Sequence, residues 1–576
     1  MIEYFKEAWN ELVAPGSGFA MVETEVRGIP MRVFEQAPPN MRSIWELATL
    51  HGDKDYLVYE DERLTYNETA ALVRALAHHL VNDHGVGRGD RVGIAMRNYP
   101  EWVISYWAIA SIGAAAVGMN AWWTSPEMEY ALDDSRPKVL ICDSERLERV
   151  TPLLDTLRAN QPLQIIAVRT EGSLPDGSAH WNDVVDPASA PDALPEVEID
   201  PDDDVTIFYT SGTTGFPKGA QLTHRGSVHN LFNIAFMQMV TASAAAKAQA
   251  AAGVVPDPDA EPAVERPPSF MAPTPLFHVT ACNCLLHPAT LLGAKLVLTY
   301  KWDPARALEL IEREQVTNFS GVPTMSREML LHPDWETRDT SSLQGLGGGG
   351  APLQPDLVKK IDDALPTGAP STGYGLTETH GILTANSSTL YLMKPESCGP
   401  LVPNVDGKVI DDLGNELAQG ERGQLCVKGP IVIKGYINRP EATAESIQDG
   451  WFNTGDIAFI DDDGFVHIVD RAKDMVLRGG ENVYCSEVET VIYTHPAIAE
   501  AAVFGVPDER LGEDVAAAVM LRPGASLSAD ELREFLVPLM AKHKIPSTVY
   551  FRDQPLPQNA NGKFLKRELR DEYLNA

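Results

Sequence analysis

The first part of the chain alternates between two periodic patterns of hydrophobic and polar residues. Apolar residues three and four positions apart predict helices over 68–80, 99–111 and 144–157. Short apolar runs predict strands over 92–96, 139–142 and 165–168. A regular alternation of strands and helices favours a mainly parallel sheet covered by helices.

The same alternation resumes after Asp204. Apolar runs predict strands over 205–209, 269–274, 294–299 and 317–321, with a helix over 304–314. Residues 242–268 interrupt the pattern with an alanine tract followed by a stretch rich in proline and acids. Such a low-complexity segment contributes little to a core, and we interpret it as a mobile surface insertion without a binding role.

Beyond about Gly399 the pattern changes to short runs separated by turns. The runs 407–411, 424–428 and 431–436 predict a β-rich subdomain, and a strand over 465–469 follows. A compact α+β unit comes after it, with helices over 486–494 and 528–541. Ser528 as the N-cap and Glu531 three residues later form a predicted capping box.

These elements predict an α/β protein with two domains. The large N-terminal domain, 1–470, has parallel-type sheets layered with helices and a β-rich subdomain, and the small α+β C-terminal domain is 471–576. The chain has 576 residues, of which 47 are Lys or Arg and 81 are Asp or Glu, so its net charge is −34. This charge repels polyanions and disfavours nucleic acid and anionic membranes as principal partners.

The cysteines and the chain ends indicate a cytoplasmic protein. Six cysteines without a spacing pattern predict reduced thiols and no disulfide framework. The first residues contain acids and no apolar run, unlike a secretory signal, and the last four resemble no peroxisomal or retention address. The most apolar stretch, 104–119, is short of a membrane span. A monomer and a homodimer are both compatible with the sequence.

A segment dense in glycines and hydroxyls follows the strand 205–209. Glycines let backbone N–H groups approach phosphate oxygens, hydroxyls donate further hydrogen bonds, and a lysine supplies positive charge. The segment therefore predicts a polyphosphate site. It differs from a Walker A loop, in which Gly-Lys-Ser/Thr opens a helix. Its candidate phosphate-binding residues are Thr210, Ser211, Gly212, Thr213, Thr214, Gly215 and Lys218.

The segment YTSGTTGFPKG resembles the phosphate-loop signature of the adenylate-forming superfamily, which includes acyl-CoA synthetases, adenylation domains and luciferases. Further motifs of that superfamily follow in the expected order: GGGGAPL at 347–353, YGLTE at 374–378, TGD at 454–456, RAKD at 471–474, GGEN at 479–482 and PQNANGK at 557–563. The resemblance covers nearly the whole chain. It implies a two-step reaction in which a carboxylate and ATP form an acyl-adenylate and pyrophosphate, and a thiol then takes the acyl group.

The resemblance implies a nucleotide site built from separated motifs. By that resemblance Glu378 holds Mg²⁺ on the phosphates and Thr377 hydrogen-bonds the α-phosphate, since a hard cation prefers an oxygen ligand. Taken alone, Glu378 would be an ordinary surface acid. The remaining nucleotide contacts implied are Tyr374 along the adenine with its neighbour Gly375, Gly349, Gly350, Ala351 and Pro352 in the pocket wall, and Asp456 and Arg471 at the ribose hydroxyls.

The resemblance also assigns roles in the C-terminal domain. Lys563 is implied to be the adenylation lysine, which bridges the carboxylate and the α-phosphate and stabilises the developing charge. After adenylation the small domain is expected to rotate about a hinge at Lys473. This mobile domain withdraws Lys563 and brings Gly479 and Gly480 to the CoA tunnel. ATP, Mg²⁺ and coenzyme A are the implied cofactors.

His278, in the segment PLFHV, lies where the superfamily places a residue beside the acyl pocket. Amino-acid-activating relatives carry an aspartate there, and a histidine cannot replace its full negative charge. A core histidine without a catalytic role is an equal interpretation. We expect an acyl-CoA ligase for a small-molecule carboxylic acid, of medium or long chain or alicyclic. Alternatives are an aryl-CoA ligase, an acyl-AMP ligase that loads a carrier protein, and a catalytically inactive nucleotide-binding regulator.

Overall fold

The structure is a computed structural model that describes residues 1–188, 190–210, 217–253, 266–350, 353, 355–365, 368–479, 481–559 and 562–575. The predicted site residues Ser211, Gly212, Thr213, Thr214, Gly215, Ala351, Pro352 and Gly480 lie outside the described residues. The chain forms two compact units: residues 1–395, 400–406 and 428–452 make the first, and 396–399, 407–427 and 453–576 the second. The domain boundary at 470/471 stays a prediction.

Two large sheets organise the first unit. Within the described residues, one sheet has seven strands, in the spatial order Lys218–Thr223, Asp204–Thr210, Ala115–Gly118, Arg91–Ala95, Val139–Asp143, Gln164–Val168 and Ser178–His180. The other has eight, in the order Gly381–Ser387, Ala369–Leu376, Gly345–Gly349, Asn318–Gly321, Ser269–Ala272, Lys295–Leu298, Asp55–Tyr59 and Glu62–Thr65. A separate hairpin pairs Met21–Val26 with Ile29–Phe34.

Neighbouring strands in the middle of both sheets are parallel, and antiparallel pairs lie at the edges. The parallel strands are buried on both faces, as every residue of Ala115–Gly118 and of Val139–Asp143 shows. This burial explains why these strands read as continuous apolar runs rather than alternating ones. The layered arrangement confirms the predicted α/β class.

Helices connect and cover these strands. The helix Tyr66–Asn82 begins with a capping box formed by Thr65 and Glu68. The helices of the first unit are Ile2–Leu12, Met41–Ala48, Tyr66–Asn82, Pro100–Ser111, Ser125–Ser135, Ser144–Val150, Leu154–Asn160, Trp181–Val184, His224–Ala251, Val279–Ala281, His287–Leu292, Pro304–Glu314, Pro323–Leu331, Pro355–Ala364, Ser388–Met393 and Pro440–Ser446. Among the described residues, none of the helices is both long enough and apolar enough to cross a lipid bilayer.

The second unit contains a β-rich part and an α+β part. A six-stranded sheet of the described residues has the strand order Gly399–Pro400, Phe465–Arg471, Trp451–Ile460, Gly423–Lys428 and Asp406–Ile410, with Ile447–Gln448 paired to Trp451–Ile460. The α+β part has the strand order Glu481–Val483, Val476–Arg478, Gly512–Leu521 and Ile498–Asp508, with Thr548–Arg552 also paired to Gly512–Leu521. Its helices are Cys485–Ile492, Ala529–Leu536 and Lys566–Asn575.

Prolines account for two differences from the predicted helices. The helix expected over 144–157 ends at Val150 and resumes at Leu154, because Pro152 cannot donate a backbone hydrogen bond. The helix expected over 528–541 has the predicted capping box but ends at Leu536, just before Pro538.

Two other segments also differ from their predictions. The alanine tract expected to belong to a surface insertion continues the helix His224–Ala251, since alanine is the strongest helix former. The rest of that predicted insertion includes residues 254–265, which lie outside the described residues. The predicted strand over 431–436 is irregular backbone, and only Tyr436 forms an isolated bridge within it, to Ala220.

Candidate active site

Glu378 lies in a tight turn between two antiparallel strands of the eight-stranded sheet. The strand Ala369–Leu376 carries Tyr374 and Gly375, and the turn Thr377–Thr379 follows it directly. A side chain at Gly375 would collide with the carbonyl of Gly381, so this approach of the two strands requires glycine. Thr377 is buried beside Glu378. The local sequence thus positions the Thr-Glu pair rigidly.

The Glu378 carboxylate receives two hydroxyl groups from other parts of the first unit. The Tyr436 hydroxyl donates to Oε1 at 2.9 Å, and the Thr210 hydroxyl lies 3.3 Å from the same oxygen. The Lys218 ammonium lies 5.2 Å from the centre of the Tyr436 ring, which is within range for a cation–π contact. The structure therefore brings three predicted residues together: Thr210, Lys218 and Glu378.

Tyr436 is the member of this group that the sequence did not indicate. It lies 58 residues after Glu378, in the run predicted as a strand. Burial raises the pKa of its hydroxyl, and the neighbouring Glu378 carboxylate adds to that effect, so the hydroxyl stays protonated and remains a donor. No spacing rule relates positions 378 and 436. The sequence shows only a single tyrosine after Gly435, which does not by itself indicate a binding role.

His380, two residues after Glu378, has a structural role. The backbone N–H of Thr223 donates to its Nε2 at 2.8 Å, so Nδ1 carries the proton and donates to the carbonyl of Ile431 at 2.7 Å. Burial lowers the pKa of the imidazole to about 3. His380 is therefore neutral and ties the turn of Glu378 to two other segments.

His278 lies in a buried loop after the strand Ser269–Ala272. Its Nδ1 accepts a hydrogen bond from the backbone N–H of Thr280 at 3.3 Å, so Nε2 carries the proton. Burial lowers its pKa to about 4, which keeps the imidazole neutral. The hydrogen bonds described for the His278 imidazole run to Thr280, and the group around Glu378 is formed by other segments.

Asn98 organises the loop that leads to His278, and no motif in the sequence indicated this role. Its side-chain amide donates to the carbonyls of Ala272 and Thr274, at 3.3 and 2.9 Å. Its carbonyl oxygen accepts from the backbone N–H of Leu276 at 2.9 Å. The buried amide of Asn98 thus forms hydrogen bonds with three backbone groups between Ala272 and Leu276.

Two of the predicted pocket-wall glycines are described. Gly349 ends the strand Gly345–Gly349, which is parallel to the strand of Tyr374. Gly350 follows it with φ +80°, a backbone conformation that glycine adopts without strain. Gly349 and Gly350 therefore lie at the carboxyl end of a parallel strand, where ligand sites of such sheets are found.

Asp456 and Arg471 form an ion pair in the second unit. They are cross-strand partners, and the Arg471 Nε lies 2.7 Å from an Asp456 oxygen. Asp456 is only 3% exposed, and its backbone N–H donates to the Thr454 hydroxyl. A buried carboxylate with a guanidinium partner is a fixed acceptor, which suits the predicted contact with a ribose diol.

Lys563 and Lys473 lie near this ion pair in the same unit. Burial lowers the pKa of Lys563 to about 8, and the positive charges of Arg471 and Lys473 add to the effect, while Asp474 and Asp456 oppose it. The pKa of Lys473 is lowered as well, chiefly by burial and secondly by Arg471. The second unit therefore gathers Asp456, Arg471, Lys473 and Lys563, all of which the sequence had marked.

Hydrogen bonds of the main chain hold the segments that carry these lysines. The N–H of Lys563 donates to the Asn559 side chain at 3.0 Å, and the N–H of Asn559 donates to the carbonyl of Lys563 at 2.9 Å. Lys566, three residues later, pairs with Glu489 at 2.7 Å. Lys473 lies in the turn after the strand Phe465–Arg471. Gly479 has φ +60°, and its N–H donates to the carbonyl of Leu511.

Comparison with known proteins identifies the family. A model described as AMP-binding enzyme matches residues 44–437, more than half of the chain, and one described as AMP-binding enzyme C-terminal domain matches 487–563. The feruloyl-CoA synthase of Amycolatopsis sp is 37% identical over 514 residues, covering 88% of this chain and 94% of its own. The long-chain-fatty-acid–CoA ligase of Bacillus subtilis (strain 168) is 33% identical over 544 residues, covering 90% and 92%.

A solved structure supports the same assignment. The ATP-bound MatB from Rhodopseudomonas palustris is 29% identical, covers 92% of this chain and 99% of its own, and superimposes with a TM-score of 0.77. The fold and the family models together define an adenylate-forming enzyme. The chain belongs to the AMP-binding enzyme family and is an AMP-forming acid–CoA ligase.

Proposed function

We propose that this enzyme activates a hydrophobic carboxylic acid with Mg²⁺ and ATP and transfers the acyl group to CoA. The observation that carries the proposal is that Thr210 and Tyr436 both contact the Glu378 carboxylate, while the Lys218 ammonium lies against the Tyr436 ring. This group combines a hydroxyl, a cation and an oriented carboxylate. A triphosphate and a divalent cation require these groups, and a net charge of −34 would otherwise repel ATP.

The residues around Glu378 fit a magnesium ion that is held largely by substrate phosphates. Among the described residues there is no group of three or more His, Cys, Asp or Glu side chains that could hold a metal ion by itself. Mg²⁺ is usually bound by one or two carboxylates together with phosphate oxygens and water, rather than by an all-protein cage. Glu378 would hold it, and the ion would supply charge neutralisation at the phosphates.

In the first step of the proposed reaction an oxygen of the substrate carboxylate attacks the α-phosphorus. The bond to the β-phosphate oxygen breaks and pyrophosphate leaves. Lys218 and Thr210 bind phosphate oxygens, and Lys563 stabilises the charge on the α-phosphate during transfer. Thr377 would hydrogen-bond the same phosphate, while Asp456 and Arg471 would hold the ribose.

In the second step the CoA thiol loses its proton to solvent and its sulfur attacks the acyl carbon. The thioester bond forms, the bond from the acyl carbon to the phosphate oxygen breaks, and AMP leaves. We propose that this step uses a different arrangement of the C-terminal domain, 471–576, reached by rotation at Lys473, with Gly479 and Gly480 then near CoA. The turn that contains Lys473 supports this role, because a few residues at the end of a strand can absorb the change in backbone angles. The gap between the two family models, 438–486, includes this position.

The acid is proposed to be hydrophobic because His278, which the resemblance places beside the acyl pocket, supplies no negative charge to pair with an amino group on the substrate. With the pKa of His278 lowered to about 4, the loop supplies no charge for an amino group on the substrate. Aliphatic acids of medium or long chain, and alicyclic acids, are the first candidate class. The identity of 33% to a long-chain-fatty-acid–CoA ligase supports this class.

Aromatic acids are the second candidate class, and two similarities favour them. The feruloyl-CoA synthase relative is 37% identical, compared with 33% for the fatty-acid ligase. An anthranilate CoA ligase in complex with anthranoyl-AMP also superimposes, with a TM-score of 0.80 at 27% identity. A neutral acyl loop is equally compatible with a phenyl ring.

A pyrophosphate-release screen tests the reaction and separates the two classes. The screen would supply Mg²⁺ and ATP with each of five acids: octanoate, dodecanoate, cyclohexanecarboxylate, benzoate and ferulate. Glycine, which carries an amino group, is the control. We expect release with acids of one hydrophobic class, none with glycine, and a CoA thioester detected by mass spectrometry when CoA is added. Pyrophosphate without any thioester, but with loading of a carrier protein, would overturn the choice of CoA.

The lowered pKa of Lys563 predicts a pH dependence confined to the first step. The ammonium loses its proton as the pH rises through about 8, so kcat/KM for pyrophosphate release should fall above that pH. Lys563→Arg keeps its charge and should not show this fall. Thioester formation from presynthesised acyl-adenylate should not fall either. The assignment is wrong if wild type and Lys563→Arg decline at the same pH.

A further inference from the structure

The turn 435–439 is fastened along the strand that follows the phosphate-loop segment. The N–H of Gln221 donates to the carbonyl of Gly435 at 2.9 Å, and the N–H of Ile437 donates to the carbonyl of Gly219 at 2.8 Å. These two bonds hold Tyr436 between them, beside the beginning of the strand Lys218–Thr223. The position of the Tyr436 side chain is therefore set by backbone hydrogen bonds as well as by its own contacts.

The far end of the turn is anchored by a polar network. Arg439 donates to the Tyr130 hydroxyl at 3.0 Å and pairs with Asp134 at 3.2 Å. The Tyr130 hydroxyl donates to the carbonyl of Pro217 at 2.9 Å, and the Tyr209 hydroxyl donates to Asp134 at 2.9 Å. Tyr209 begins the phosphate-loop segment YTSGTTGFPKG and Pro217 lies near its end, so one network connects both ends of the segment to the turn 435–439.

A third connection joins the same region to the backbone of Glu378. The N–H of Ile433 donates to the carbonyl of Glu378 at 2.9 Å. Together with the 2.9 Å bond from Tyr436 to Oε1, the irregular segment 433–436 holds both the main chain and the side chain of Glu378. A carboxylate with hydroxyl partners on one oxygen has a restricted orientation, since rotation would break these bonds.

We propose that Tyr436 is a positioning residue for adenylation. Its hydroxyl sets the orientation of the Glu378 carboxylate, and its ring restricts the Lys218 ammonium through the contact at 5.2 Å. The inference rests on the proposed function, in which Glu378 and Lys218 serve Mg²⁺ and the ATP phosphates. In this role Tyr436 acts through the side chains of Glu378 and Lys218, the two groups that it contacts.

The test uses Tyr436→Phe in the full-length enzyme. The variant keeps the ring beside Lys218 and removes the hydroxyl. Because hydrogen bonds to charged groups contribute substantially, the Kd for Mg²⁺·ATP, measured by calorimetry without acid, should increase about tenfold. The Kd for ATP with a chelator in place of Mg²⁺ should change little. Thioester formation from presynthesised acyl-adenylate and the KM for the acid should also be retained.

A second variant and a matched control separate positioning from a structural defect. Tyr436→Leu removes the ring as well, so it should also increase the Kd for ATP measured with a chelator in place of Mg²⁺. Tyr300→Phe is the control, because the Tyr300 hydroxyl donates to another carboxylate, Glu145, at 2.7 Å. This control should bind Mg²⁺·ATP like the wild type.

Two results would overturn the proposal. An unchanged Kd for Mg²⁺·ATP in Tyr436→Phe would exclude the positioning role. The proposed function would still stand in that case if Glu378→Gln lost adenylation. A parallel loss of thermal stability and of both half-reactions in Tyr436→Phe would assign the residue to structure alone. If Glu378→Gln retained full adenylation, the proposed function itself would fail.

Discussion

Lys563→Ala should lower the rate of acyl-adenylate formation by about two to three orders of magnitude, the effect of removing one group that stabilises transition-state charge. The lysine is expected to act only while charge develops on the α-phosphate. Thioester formation from presynthesised acyl-adenylate and CoA should therefore be retained. Pyrophosphate release and thioester production, measured separately, check the two halves of this prediction.

Lys544→Ala is a suitable control for this experiment. Lys544 lies in the same unit and also forms an ion pair, at 2.7 Å from Glu487, but belongs to none of the predicted motifs. Its replacement should leave both half-reactions near the wild-type rates. An equal loss of both half-reactions in Lys563→Ala would show that the lysine supports the structure of the unit rather than adenylation.

Glu378→Gln should lower adenylation by a similar factor, about two to three orders of magnitude. Glutamine keeps a carbonyl oxygen that can accept from Tyr436 and Thr210, so the local packing is preserved while the negative charge is lost. The charge is what a divalent cation requires. Initial rates of pyrophosphate release over a range of Mg²⁺ concentrations would measure both the loss and the increased Mg²⁺ requirement.

Glu46→Gln provides the corresponding control for charge. Glu46 is exposed and pairs with Arg42 at 2.8 Å, far along the chain from the motifs. An exposed ion pair of this kind contributes little to stability, so the variant should behave as wild type. If Glu378→Gln kept the wild-type rate and the wild-type Mg²⁺ requirement, Glu378 would not serve the metal.

Most of the elements could be predicted because their signals are local. The strand Val139–Asp143 and the helix Pro304–Glu314 follow from periodicity and from the residues at their ends, which depend only on near neighbours in the chain. The wrong predictions of helix bounds arose where neighbouring residues favoured different structures with similar strength. Pro152 and Pro538 interrupted patterns that otherwise favoured helix, and the alanine tract before Ala251 favoured helix although it precedes a low-complexity segment.

The sequence predicted only those candidate site residues that belong to a motif of consecutive residues. The family signatures marked Glu378, Asp456, Arg471 and Lys563, although composition alone would have made Lys563 an ordinary surface amine. Tyr436 and Asn98 belong to no such signature. Their roles depend on hydrogen bonds to residues 58 and 174 to 178 positions away, which no periodicity describes.

By itself, the sequence determined the chemistry available to this enzyme: a glycine- and hydroxyl-rich segment with Lys218, a Thr-Glu pair, an Asp456 proposed to bind the ribose, and Lys563 near the end of the chain. The tertiary structure decided which side chains meet. It placed Tyr436 on Glu378, paired Asp456 with Arg471 across two strands, and lowered the pKa of Lys563 by burial. The reason is physical: composition and spacing act along the chain, whereas burial and hydrogen bonding depend on which strands become neighbours.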